Sequence, residues 1–169
     1  LTMAVNSQLS EEELFNRVVH YEARGEGSLG MALVALTILN RQAIILADNK
    51  KGPGTFNAKG STLKDILMGK KQYQPVGEGT VNKDISPEAR ENAAKAIELA
   101  RNPRALLNEL KKAGLQASEI TSLMNSTGFR TQGAKTDSSQ PKAASYGNHN
   151  FTTAGNEDNA LFTANESVA

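Results

Sequence analysis

The chain has 169 residues, 38% of them apolar and 22% charged, with 19 basic against 18 acidic side chains and a formal charge of +1. That length buries a core without disulfide or metal staples and fits one globular domain. The absence of cysteine excludes disulfide frameworks, thiolate metal sites and cysteine nucleophiles, and near-neutrality with no Lys/Arg run beyond two excludes a general nucleic-acid binder.

The longest apolar run, Met31 to Leu39, contains Thr37 and falls short of the roughly 20 residues a bilayer span needs, so no membrane span is expected. The start at Leu1-Thr2-Met3 lacks a basic segment followed by an apolar one, and the chain reads as a trimmed fragment.

Ser10-Glu11-Glu12-Glu13 is a capping box, and Leu14, Phe15, Val18, Val19 and Tyr21 recur at helical spacing. A helix is predicted from Glu11 to about Ala23, where Gly25 and Gly27 interrupt it. Ser28 is predicted to cap a second helix, almost without a polar face through Ile45 and hence central. The stretch 48–60 reads as a surface loop, and Ser61 as the cap of a short helix through Met68. A second irregular loop follows, with Pro75, Gly77 and Gly79 as breakers. Ser86-Pro87-Glu88 starts a helix, Asn102-Pro103 restarts one that ends at Gly114, and Ser118-Glu119-Ile120 opens a further turn. From Asn125 to Asn150 the sequence is polar and glycine-rich, Phe151 to Ala169 has little to bury, and no strand-rich run stands out. A mostly α domain with long irregular connections is expected, with residues 1–151 as the domain and 152–169 as a polar tail.

Glu22 lies near the end of an apolar-faced helix, where partial burial would raise its pKa and keep it protonated as a general acid. The competing reading is a solvated acid paired with Arg24 or Arg17. Glu26 is either the second carboxylate of a two-acid site or a partner of Arg24 or Arg41. His20 and His149, the only histidines, lack metal-ligand spacing, and the HxE of His20-Tyr21-Glu22 lacks the cysteines that zinc deaminases need. The glycines from Gly25 to Gly30 follow a predicted helix instead of a strand, so neither a nucleophile elbow nor a phosphate loop is expected. Tyr73-Gln74-Pro75 and Tyr146-Gly147-Asn148-His149-Asn150-Phe151 hold the aromatic and amide groups that stack on sugars and bind hydroxyls, though for each cluster alone ordinary loop packing is the commoner reason for such residues.

The order of these motifs is more specific than any one of them. Val19-His20-Tyr21-Glu22-Ala23-Arg24-Gly25-Glu26-Gly27, followed by Gly30 to Ala35 and Ile38-Leu39-Asn40-Arg41, resembles the EARGE and LNR signature of the SleB-type cell-wall hydrolases. These are peptidoglycan-cleaving lytic transglycosylases of the lysozyme-like superfamily. Tyr73-Gln74-Pro75, the Ala-rich stretch 87–96 and Gly147-Asn148-His149-Asn150-Phe151 are similar to later segments of that family. The chain departs from it in having no Trp and in carrying the 48–60 loop, the 103–114 helix and the 126–142 stretch. Enzymes of this type also occur as phage lysins, and the sequence is similar to those of enveloped double-stranded RNA bacteriophages.

The resemblance implies a lysozyme-like fold, Glu22 as catalytic acid, Glu26 as the first candidate for a second carboxylate, and Tyr73, Gln74, Asn148 and His149 as substrate contacts. It implies cleavage between N-acetylmuramic acid and N-acetylglucosamine, no cofactor, no metal, and glycan strands as partner. The phage likeness implies a virion-associated monomer, with other virion proteins as partners, that acts in the bacterial periplasm and cell wall. Two other functions are weighed against this one. One is a peptidoglycan endopeptidase, for which no nucleophile or metal set is evident, and the other is a non-enzymatic peptidoglycan-binding virion protein.

Overall fold

Ser10 accepts the Glu13 backbone N–H and closes the N-terminus of α1 (Glu11–Ala23), as predicted. The other half of the expected capping box does not form. The Glu13 carboxylate is turned to Arg17 Nε at 2.9 Å and Arg90 Nε at 3.0 Å, and both guanidiniums also reach Asp84. Two cations beside one carboxylate outweigh a single N–H, and hydrogen bonding from Arg90 holds the Glu13 carboxyl below the usual range. The computed structural model of the protein describes residues 4–47, 55–133 and 144–154.

Leu14, Phe15, Val18, Val19 and Ala23 bury one face of α1 against α2 (Gly27–Ala47). Each fully buried large apolar side chain contributes roughly 1.5–3 kcal/mol. The second helix starts at Gly27, so Ser28 lies inside it and is not its cap. Every residue from Gly30 to Ile38 is buried, because α1, α3 (Leu63–Leu67), α5 (Pro87–Ala100), α6 (Pro103–Lys112) and α7 (Ala117–Met124) surround it. With 21 residues, α2 is long and apolar enough to cross a bilayer, which the shorter run 31–39 had not suggested, but here it is the core helix. Its buried Asn40 donates from Nδ2 to the carbonyls of Met124 at 3.0 Å and Ser126 at 2.8 Å, which fixes the chain as it leaves α7.

Within the predicted 48–60 loop, residues 48–54 lie outside the described residues and Thr55–Asn57 form a 3₁₀ turn. Thr62, not Ser61, caps α3, in a capping box with Asp65. The second predicted loop contains α4 (Gln74–Gly77) and a 3₁₀ turn at Thr80–Asn82. Pro75 is no breaker there, because in the first turn of a helix its missing N–H has no intrahelical role. Both proline-started helices, α5 and α6, form as predicted, and Gly114 takes φ +88 after the second.

A small sheet replaces the irregular segment expected after Asn125. Strands β1 (Gly128–Thr131), β2 (Ala144–Tyr146) and β3 (His149–Thr152) pair antiparallel in the order β1-β3-β2. Phe151 is fully buried between this sheet and the helices, contrary to the expectation that 151–169 has little to bury. Strand β3 runs on through Thr152, itself buried, and 155–169, most of the predicted tail, lies outside the described residues.

Candidate active site

Glu22 is the penultimate residue of α1, on the flank of the face that enters the core, and α4 packs beside it. The backbone N–H of Gln74, the first residue of α4, donates to the Glu22 carboxyl. Neither arginine named as a possible partner reaches it. Arg17 is committed to Glu13 and Asp84, and Arg24 lies over the Tyr21 ring at 5.8 Å. Burial therefore dominates and pushes the Glu22 carboxyl up to about 7, against the smaller opposing effect of the Gln74 N–H.

The carboxyl stands between two cavities. One, of about 480 Å³, extends past Tyr73, Gln72, Arg41 and Phe129, and the other, of about 220 Å³, past Tyr21, Arg24, Pro75 and Thr80. Glu22, Gln74 and Glu78 line both. An extended chain laid along them would present one linkage to Glu22 with residues on either side.

Tyr73, the residue before α4, is 3% exposed, and its hydroxyl has no hydrogen-bond partner among the described residues. Burial, helped by the charge of Glu22 and opposed by that of Arg41, pushes the phenol up to about 12. The group stays neutral, and the residue lines the larger cavity while its hydroxyl oxygen is itself buried. Gln74 contributes its backbone N–H to Glu22, while its side-chain Nε2 donates to Glu78 Oε1 at 2.7 Å.

The remaining sequence candidates lie elsewhere. Glu26 lines neither cavity: it follows Gly25, which at φ +88 breaks the helix between the two acids, and its carboxylate accepts the backbone N–H of Asn148 at 3.0 Å. It does not pair with Arg24 or Arg41. Asn148 sits in the exposed β2–β3 turn, and its carbonyl accepts from the Gln132 N–H at 2.8 Å. His149 is buried beneath that turn, its ring 5.0 Å from that of Phe129, and burial lowers its pKa. His149 Nδ1 is 4.0 Å from Glu26 Oε1, too far for a hydrogen bond, and has no other partner among the described residues. Neither Asn148 nor His149 lines either cavity; His149 packs against Phe129, which lines the larger one. His20 lies edge-on to Tyr21 and outside both cavities.

Six residues that line the larger cavity, Arg41, Lys71, Gln72, Gly77, Glu78 and Phe129, were not singled out as site residues in the sequence. Arg41 was visible as the end of LNR, whereas Phe129 is placed by a strand whose local sequence gave no signal. Among the described residues no three His, Cys, Asp or Glu side chains come together in a metal-binding group.

No family model matches the chain, and no curated protein sequence matches it. Among solved structures, the catalytic domain of the Bacillus cereus SleB protein aligns with a TM-score of 0.52 at 19% identity, covering 88% of this chain and 94% of that one. The catalytic domain of the germination-specific lytic transglycosylase SleB from Bacillus anthracis aligns with a TM-score of 0.53 at 18% identity, covering 88% of this chain and 99% of that one. Among the described residues, seven helices with the apolar α2 at their centre and a small antiparallel sheet closing one side thus form the lysozyme-like fold of the SleB catalytic domains, as the motif order implied.

Proposed function

We propose that the protein is a peptidoglycan-degrading lytic transglycosylase and that Glu22 is its acid and base. The observation that carries this reading is a largely buried carboxyl, without an ion-pair partner among the described residues, standing between two cavities of one groove. The SleB fold and the EARGE and LNR residues supply the substrate class.

Protonated Glu22 donates to the oxygen linking N-acetylmuramic acid to N-acetylglucosamine, and the bond from the muramic anomeric carbon to that oxygen breaks through an oxocarbenium-like state. The carboxylate left behind takes the proton of the muramic 6-hydroxyl as that oxygen attacks the anomeric carbon. A 1,6-anhydro ring closes, Glu22 is protonated again, and no water is consumed. One acid suffices for this sequence, which suits a site from which Glu26 is absent. A hydrolytic variant has one observation in its favour, because Glu78 lines both cavities and could serve as base for a water, although Gln74 already occupies one of its oxygens. The likeness to phage lysins extends the reading to a monomeric virion protein that opens the wall during host penetration and lysis, which immunodetection on purified virions tests.

Mass spectrometry of fragments released from purified peptidoglycan by the wild type and by Glu22→Gln decides among these. Anhydromuramic ends that vanish in the variant are expected. Hydrated reducing ends would move the assignment to a muramidase using Glu78. New peptide amino groups on intact glycans would make the protein an endopeptidase, and no fragments at all would leave a binding protein.

A further inference from the structure

The larger cavity has a cationic end as well as an acidic one. Arg41 is half-buried there, its guanidinium carbon 4.8 Å from the Phe56 ring centroid and 5.4 Å from that of Tyr73. Its Nε donates to the Thr127 carbonyl and its Nη1 to Gln72 Oε1 at 2.8 Å, so the plane is fixed by two aromatic rings and two hydrogen bonds. These use two of its five N–H groups, and no carboxylate pairs with it among the described residues. Nor does it act as counter-ion to Glu22, whose carboxyl burial raises without any lowering by Arg41. Lys71 lines the same cavity, exposed and without an ion pair among the described residues, in a left-handed conformation at φ +60 that a non-glycine residue adopts at a cost. A held guanidinium with spare donors and no anion is half of a charge-assisted pair, and the missing half is a carboxylate.

We propose that Arg41 and Lys71 form an anion subsite, which takes a carboxylate of the peptide stem borne by the muramic acid beside the cleaved bond. This rests on the glycosidase reading above and refines its substrate from glycan strands in general to strands that carry acidic stems. The hexosamine rings of the backbone are uncharged, so on this substrate only the stem provides the anion. Tyr73, between the two poles, separates the acid that cleaves from the cation that positions.

The test compares kcat/KM of the full chain on stem-bearing strands whose stem carboxylates are free with that on the same strands with those carboxylates amidated, because removing the stem would expose the lactyl carboxylate of muramic acid as a new anion. The wild type is expected to prefer the strand with free stem carboxylates by about tenfold, the size of one charge-assisted hydrogen-bonded pair. In Lys71→Asn and Arg41→Gln that ratio is expected to fall toward one. Asn tolerates the left-handed conformation, so Lys71→Asn remains informative if Arg41→Gln, which loses stacking and two hydrogen bonds, does not fold. The same soluble stem-bearing disaccharide, with its stem carboxylates free or amidated, is then titrated into Glu22→Gln by calorimetry, where the free acids are expected to bind about tenfold tighter. Equal cleavage of both strands by the wild type, or a ratio unchanged in folded variants, overturns the subsite and leaves the glycosidase. Failure to cleave either strand overturns the glycosidase and the subsite with it.

Discussion

Glu26 accepts the backbone N–H of Asn148 at 3.0 Å across 122 positions of sequence, joining the turn after α1 to the turn between β2 and β3. Its Cβ lies 2.7 Å from where a side chain on Gly30 would begin, and its Oε2 occupies the space a side chain on Gly147 would need. The two glycines and the carboxylate therefore form one fitted contact, and the second Glu of the EARGE motif is a tether of the hairpin.

A tether and a catalytic base respond differently to substitution. Glu26→Gln keeps an acceptor oxygen and is expected to retain glycan cleavage with little loss of stability. Glu26→Ala removes the acceptor and is expected to cost about 1–3 kcal/mol. Gly147→Ala should cost more than Glu26→Gln, because it adds both the collision and a side chain at φ +56. Urea midpoints with parallel fragment assays check this. Loss of cleavage in a fully stable Glu26→Gln would restore Glu26 to the chemistry.

The Glu22 carboxyl, raised to about 7, predicts a pH dependence of both rate and stability. As a general acid it must be protonated in the free enzyme, so kcat/KM is expected to fall above an apparent pKa near 7. For stability, the folded state holds this proton more tightly than the unfolded state, whose pKa is near 4.5. The contribution is therefore fully present below pH 4.5 and is lost as the pH rises through 7. The full span corresponds to roughly 3 kcal/mol. Glu22→Gln, which cannot ionise, is expected to gain on the wild type by up to about that amount between pH 4 and pH 8 in urea titrations.

Much of this arrangement was legible in advance, for reasons that differ by element. Ser10, Ser86-Pro87 and Asn102-Pro103 announce helices because capping is local chemistry, written within four residues of each start. Strands of three or four residues, rich in Gly, Ser and Asn, announce nothing: their stability comes from pairing between β1 and β3, some twenty residues apart, and from Phe151 entering a core built by helices. The same distinction divides the site. Glu22 and Tyr73, which both line the larger cavity, stand out in the motif order, while Phe129 and the tethering role of Glu26 depend on a hairpin that only the folded chain assembles.

His149 supplies a test of opposite sign. Burial holds its pKa below the ordinary 6.5, with the Glu26 charge opposing, so the neutral ring is the form the fold prefers. Its contribution is present above pH 6.5 and is lost as the pH falls through the lowered value. Because Glu22 stabilises the fold over part of the same range, the two are separated in a Glu22→Gln background. There, His149→Phe keeps an aromatic ring against Phe129 and removes the titrating nitrogens, and it is expected to flatten the decline in urea midpoint between pH 7 and pH 5. An unchanged decline would assign the acid sensitivity to the other histidine, His20, whose pKa burial also lowers from 6.5 and which therefore acts in the same direction and range.

Phe151 links the core to the cavity wall. It is fully buried, lies opposite Phe129 in the β1–β3 register, and its ring is 6.3 Å from that of Phe129 and 6.0 Å from that of His149. Phe151→Ala opens a void at the junction of sheet and helices and is expected to cost about 3–5 kcal/mol. Phe151→Leu fills most of that void and should cost considerably less. Phe129 loses its neighbour in both variants, so the position of the cavity wall changes along with the stability. If the wall positions substrate, Phe151→Leu, folded at assay temperature, should raise KM for glycan strands more than it lowers kcat. If Phe129 were mere packing, the variant would lose only urea resistance, and steady-state kinetics well below its unfolding midpoint would match the wild type.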